Sequence, residues 1–296
     1  MAELETTLSN SNTVLETHTD TLQKNALEQF KTWATEPPLR SQPRMAKTLS
    51  HGSGHTAILI IASIGENNRR YILRYRNTQS TPLGLSFEQE ITGMQLAHGH
   101  GLAPQVVWLD RAQQSMVIEF LSESGPVLCE ELAALVRAIH RLPAELPRLD
   151  LQRQFEHYWH IALEQGNGAS ALINPKEPTL QLAIKALESE PAVMCHNDLT
   201  PPNIRRRDND LVAIDWEYAA TGSPHFDIAA LCAGWPDLNA ESLALDVLGH
   251  RFSKRLFGIA THLYAALNWN WQRAAGEAHD KSQSSAQLLQ RLGGCL

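Results

Sequence analysis

The sequence predicts an α+β chain of two lobes, the first built on an antiparallel sheet and the second mainly helical. Three observations carry this. Short apolar runs separated by glycine or polar turns fill the first part: Ala46–Ser50, Thr56–Ser63, Tyr71–Arg76, Val106–Leu109 and Ser115–Leu121. Beyond them, apolar residues recur at helical spacing, as in Leu132, Leu135, Val136 and Ile139. A chain of 296 residues is long enough for two lobes with a sizeable core. The boundaries drawn are an N-terminal extension over 1–43, a first lobe over 44–122 and a second over 123–296.

The formal charge of −7 and a pI near 6.0, with no long basic run, disfavour a nucleic-acid-binding surface. Arg205-Arg206-Arg207 reads as a solvated strand edge. The apolar stretch 57–62 is too short to span a bilayer. The polar, acidic N-terminus lacks a signal-peptide pattern. Cys129, Cys195, Cys232 and Cys295 show no CxxC spacing, so neither a zinc site nor a disulfide framework is indicated and a cytoplasmic location is expected.

In the extension, Leu22, Leu27, Phe30 and Trp33 fall on one face of a helix over 20–34, and three prolines over 35–43 mark a linker. The turn Gly52-Ser53-Gly54 joins the first two strands. Glycine there lets backbone N–H groups approach an anion closely. Tyr71–Arg76 carries Arg74 and Arg76 on one side of a strand. A helix starts at Ser86, where Ser86 and Gln89 suit a capping box. Its apolar stripe of Phe87, Ile91, Met94 and Ala97 encloses Glu90, and a carboxylate on a buried face needs a partner. Arg74 is the obvious one. Glu119-Phe120-Leu121 then leads to a Gly125-containing crossing into the second lobe.

In the second lobe, helices are expected over 131–141, 152–163 and 180–187, with a short strand 192–194. That strand delivers the stretch on which the chain turns, MCHNDLTPPNIRRRDNDLVAIDWEYA over 194–219. Pro201 and Pro202 fix φ and keep its loop out of helix. A hairpin follows, with Asp208-Asn209-Asp210 as its turn. Centred on Asn209, this turn pairs Arg207 with Leu211 and puts Asn203 opposite Asp215. Opposed Cβ atoms lie roughly 5 Å apart, so an amide oxygen and a carboxylate would suit a hard cation such as Mg²⁺. Asp198, one loop away, is free to act on a hydroxyl. The tail 239–296 is helical, with Phe252, Phe257, Tyr264, Trp269 and Trp271. Trp269 and Trp271 cannot both face one pocket from a helix.

At His196-x-Asp198-x4-Asn203 and Ile214-Asp215-Trp216-Glu217-Tyr218-Ala219 the chain resembles the protein-kinase-like small-molecule kinases, among them choline kinases, thiamine kinases and aminoglycoside phosphotransferases. More weakly, the resemblance extends over 45–275. It implies a two-lobed protein-kinase-like fold, with ATP and Mg²⁺ used to phosphorylate a small alcohol. It implies Asp198 as the catalytic base, and Asn203 and Asp215 as metal ligands. The Gly52-Ser53-Gly54 turn and Arg74 would meet the phosphates, with Arg76 the runner-up and Glu90 orienting the arginine. Backbone at Glu119 and Leu121 would meet adenine. His196 and Asp227 would support the loop. Glu217, Trp269 and Trp271 are candidates for an acceptor bearing a cationic group, with choline, ethanolamine and thiamine leading. An aminoglycoside phosphotransferase is the alternative enzyme, and a nucleotide-binding module without turnover is the competitor from another class.

Overall fold

The computed structural model describes residues 24, 43–51, 55–64, 67–76, 85–276 and 284–296. The helix expected over 20–34 and the turn Gly52-Ser53-Gly54 lie outside these, Lys24 excepted. The chain divides into two compact units. The first holds the described residues of Met1–Ser80 together with Gln105–Phe120; the second holds those of Thr81–Pro104 together with Leu121–Leu296.

The first unit is one antiparallel sheet. Strands β1 (Arg44–His51), β2 (His55–Ile64), β3 (Asn67–Arg76), β4 (Val106–Asp110) and β5 (Ser115–Glu119) lie in the order β1-β2-β3-β5-β4. Period-two alternation puts Ile58, Ile60 and Ala62 of β2 with Tyr71, Leu73 and Tyr75 of β3 in one buried cluster, joined by Trp108 and Val117. Arg74 is out of phase with that cluster, pairs across the ladder with Ala57 and Met116, and is buried as well.

The second unit is mainly helical. Helix α1 (Phe87–His98) is capped by Ser86, whose hydroxyl accepts from Gln89 N–H at 3.3 Å. The expected reciprocal half of the capping box does not form. Gln89 instead donates its side-chain amide to the Ala219 carbonyl at 2.6 Å, fixing α1 on the turn Trp216–Tyr218. Gly93 permits that approach: a Cβ there would meet Leu146 Cδ1 at 3.2 Å and Ala219 Cβ at 3.3 Å. Glu90 is fully buried on the same helix.

Helices α2 (Cys129–His140), α3 (Leu151–Glu164), α4 (Pro178–Glu188), α5 (Pro224–Gly234), α6 (Ala240–Leu248), α7 (Lys254–Ala274) and α8 (Ser285–Gly293) complete the unit. The 21-residue α7 is its centre and packs on α3, α4, α5, α6 and α8. Helix α5 starts at Pro224 behind a Ser223 cap and is buried along most of its length.

Two small sheets interrupt the helices. Strand β7 (Val193–Cys195) pairs with β10 (Ala220–Gly222), while β8 (Ile204–Arg207) lies between β6 (Ser122–Glu123) and β9 (Asp210–Ala213). The three arginines of β8 are therefore in a central strand rather than on a solvated edge. Arg206 forks onto the Glu131 carboxylate and reaches the carbonyls of Ser124 and Asn209; Arg207 reaches those of Gly101 and Ala103. Two- and three-residue strands such as β6 and β10 are too short to leave a period in the sequence.

The close seat of α1 yields a test. Gly93→Val forces at least a methyl group into contacts already at 3.2–3.3 Å, and should destabilise the second unit by about 1–3 kcal/mol, read as a lowered thermal midpoint.

Candidate active site

The β7–β10 pairing sets two functional segments side by side. Cys195 pairs with Ala220, so the loop leaving β7 and the turn entering β10 meet at their anchored ends. The loop begins with His196 and Asn197. Asn197 has φ +64, a left-handed conformation that asparagine tolerates better than most residues. Its N–H donates to Asp227 Oδ1 at 2.6 Å, and its side-chain amide to the Tyr218 carbonyl at 2.9 Å. Asp227 is buried on α5, and its other oxygen accepts from His140 Nε2 at 2.8 Å.

His196 is fully buried and ties loop to turn. The Asp198 N–H donates to His196 Nδ1 at 3.3 Å, so that nitrogen carries the lone pair. Nε2 then carries the proton and donates to the Ile214 carbonyl at 3.1 Å. Burial pushes this imidazole below its ordinary range, against the pull of Asp227 and Asp215.

The hairpin register differs from the expected one by a residue. Arg207 pairs with Asp210, Arg206 with Leu211 and Ile204 with Ala213, across a two-residue turn in which Asp208 has φ +55. Asn203 thus stands opposite Ile214, whose N–H donates to the Asn203 carbonyl at 2.9 Å, and not opposite Asp215. A one-residue slip reverses every side chain's face, so the expected opposition of Asn203 and Asp215 does not form. Asn203 belongs instead to the helical turn Pro201–Asn203. Its amide nitrogen donates to Asp198 twice, to the carbonyl at 2.9 Å and to carboxylate Oδ2 at 2.7 Å. Asp215 follows β9 with φ +66 and ψ +65.

Asp198 is the focus. Burial first, then the negative charges of Asp215 and Glu217, push its carboxyl up to about 7, with the Asn203 bond opposing. Carboxylates and the Asn203 Oδ1, the end of that amide not spent on Asp198, are the donor types that a hard divalent cation takes.

An aromatic group adjoins these carboxylates. Tyr218 accepts from Trp271 Nε1 at 3.2 Å and is hydrogen-bonded to Tyr158. Burial pushes both phenols above their ordinary range; Glu217 adds to this in both, and Asp198 in Tyr218. Burial and the Asp198 charge also raise Tyr264. Trp271 therefore stands with Tyr218, whose phenol feels the charges of Glu217 and Asp198. Trp269 does not: its indole donates to the Ala171 carbonyl at 2.9 Å, and the Arg273 guanidinium lies 3.4 Å from its ring centroid. Tyr158 and Tyr264 had no signal beyond aromatics at helical spacing, which reads as core.

Arg74 and Arg76 lie on β3, Glu119 ends β5 with its carboxylate accepting from Gln105 N–H at 3.1 Å, and Leu121 is buried at the start of the second unit's main segment. His140, Cys195 and Asp227 bring three ligand-type atoms within 4.8 Å of one another, but Asp227 and His140 Nε2 are bonded to each other and the Cys195 thiol is protonated. Asp227 holds Asn197 and His140, while burial keeps the Cys195 thiol protonated and bonded to the Ser223 carbonyl. Among the described residues, no helix is long and apolar enough to cross a membrane.

The lowered His196 sets an acid limit. Above about pH 6.5, native and unfolded imidazoles are both neutral and its contribution to stability is complete. As pH falls from there through the lowered native value, the unfolded chain takes up a proton that the native one does not, and stability declines. The thermal midpoint should therefore drop between pH 7.5 and 5.5 by more in the native protein than in His196→Asn.

Comparison with known proteins gives the family and the fold. The family model described as "Phosphotransferase enzyme family" matches residues 47–262. Ethanolamine kinase 2 of Mus musculus is 26% identical over 206 residues, covering 63% of this chain and 53% of that protein. A LicA homolog of Mycoplasma capricolum is 25% identical over 150 residues, covering 49% and 60%. The chain thus spans between about half and 60% of the length of these curated relatives. Choline kinase LicA of Streptococcus pneumoniae superposes with a TM-score of 0.64 at 16% identity, covering 94% of this chain and 98% of that one. A choline/ethanolamine kinase family protein of Mesorhizobium loti gives 0.61 at 16% identity, covering 93% and 94%. At such identities these structures show the shared α+β, protein-kinase-like fold. With the family model spanning well over half of its length, the chain belongs to the phosphotransferase enzyme family.

Proposed function

We propose that this chain transfers the γ-phosphoryl group of ATP, with Mg²⁺, to the hydroxyl of a small cationic alcohol such as choline, ethanolamine or thiamine. The observation that carries the reading is Asp198: a half-buried carboxyl bonded by Asn203, within reach of the charges of Asp215 and Glu217, with Tyr218 and Tyr264 feeling its own charge. The names of the relatives, ethanolamine kinase and choline kinase, support the same acceptor class.

Asp198 accepts the hydrogen bond of the acceptor hydroxyl and takes its proton as the new oxygen–phosphorus bond forms. Asn203 fixes which way that carboxylate faces, and His196 and Asp227 fix the loop beneath it. Held by Asp215 and the Asn203 side-chain oxygen, Mg²⁺ would neutralise charge on the phosphates. Arg74 serves as phosphate clamp in this reading, and Glu90 as the carboxylate that orients it. The Gly52-Ser53-Gly54 turn and the backbone at Glu119 and Leu121 bind the nucleotide in the same reading. Glu217 and the rings of Trp271, Tyr218 and Tyr158 attract the acceptor's cationic group, ring faces needing no hydrogen bond to do so. A cytoplasmic setting, where ATP is supplied, belongs to this reading.

ADP release should be measured across choline, ethanolamine, thiamine and an aminoglycoside, with and without Mg²⁺. Turnover is expected with a small cationic alcohol and only with the metal. ADP release at background throughout would contradict the proposal, and turnover confined to the aminoglycoside would move the acceptor class. Asp198→Ala should lower kcat by about 10³-fold and leave ATP affinity near native; near-normal turnover would remove Asp198 from the role. Trp271→Ala should raise the acceptor KM about tenfold, the worth of one cation–π contact, with the ATP KM unchanged.

A further inference from the structure

The turn carrying Asp215 is pinned on both sides, and one of the pins, Trp216, has no part in the proposed chemistry. A non-glycine residue at φ +66 and ψ +65 costs free energy and persists where its surroundings over-determine it. Before Asp215, Ile214 is held at both its backbone groups, its N–H by the Asn203 carbonyl at 2.9 Å and its carbonyl by His196 Nε2 at 3.1 Å. After it stands Trp216, fully buried. The Trp216 indole N–H donates to the Ala213 carbonyl at 2.9 Å, a bond that starts and ends on either side of Asp215. The same ring meets the His196 imidazole edge-on, with centroids 4.7 Å apart at 62°. The Ala219 N–H closes the following turn onto the Trp216 carbonyl at 3.0 Å.

These contacts form a closed loop of constraint. Rotating Asp215 out of the left-handed region shifts Ala213 relative to Trp216. That breaks a bond in a dry environment, where the indole donor would be left unsatisfied, and pulls a large ring from its seat. An indole has one donor and no acceptor, so the interaction is directional: it specifies one arrangement of residues 213–216.

We propose that Trp216 is a positioning residue for the cation, its indole bond to the Ala213 carbonyl latching the turn so that the Asp215 carboxylate is preset before the metal arrives. The inference rests on the reading of Asp215 as a metal ligand. A ligand preset in this way loses less freedom on binding, so the latch acts on metal affinity as well as on fold stability.

Mn²⁺ serves as the probe, its free concentration followed by electron paramagnetic resonance in the presence of ADP and without acceptor, so that no turnover enters. Trp216→Phe keeps an aromatic ring and removes the N–H. The Mn²⁺ dissociation constant should rise about fivefold, the worth of one buried hydrogen bond. Replacing Trp216 by benzothienylalanine keeps the size of the ring and puts sulfur where the N–H was; it should give the same rise, and it stands in if Trp216→Phe fails to fold. An unchanged dissociation constant with only a lowered thermal midpoint would overturn the latch and leave the phosphotransfer reading intact. Asp215→Asn separates the two: it should weaken Mn²⁺ binding far more than either Trp216 substitution. Native-like binding in Asp215→Asn would overturn the latch and the metal role of Asp215 together.

Discussion

The carboxyl group of Asp227 is the constraint on which the rest of the site depends. One oxygen takes the Asn197 N–H and the other takes His140, so a single buried side chain joins helix α5, helix α2 and the loop that leaves β7. Removing Asp227 would orphan a backbone donor and an imidazole in the interior, each costing more than the bond itself is worth. With Asn197 held in its left-handed conformation, the chain emerges at Asp198 in one direction only. His196 and Asn203 then act on a loop whose root is already fixed, one from the turn side and one from the hairpin side.

Legibility in the sequence followed how local each signal was. The loop residues His196, Asp198 and Asn203 lie within eight positions of one another, and their spacing carried the reading directly. The hairpin was legible, but its register was not. Asp208, Asn209 and Asp210 are all good turn formers, and whether two or three of them make the turn depends on one residue adopting positive φ, which Asp208 does. Asn203 and Asp215 therefore take their positions by local features the sequence did not show, a helical turn for the one and a left-handed backbone for the other.

Long-range partners were the other blind spot. Gln89 looked like half of a capping box and is a tertiary contact to Ala219. Arg206 and Arg207 looked like exposed charge and are hydrogen-bonded to carbonyls distant in sequence. Of the two indoles on α7, helical geometry said that one would face away. The choice between them came from partners far along the chain, Ala171 for Trp269 and Tyr218 for Trp271. Tyrosines 158 and 264 repeat the lesson, since a helical aromatic near a carboxylate is identical in sequence to one in plain core.

The stacked guanidinium of Arg273 has a consequence for redesign of this scaffold. It lies over the face of Trp269 much as a foreign ammonium group would, so the protein supplies its own cation to that indole. Neutralising Arg273 in order to enlarge or soften the helical layer would strip a buried indole of the cation that covers it and leave its face open to any other cation small enough to enter.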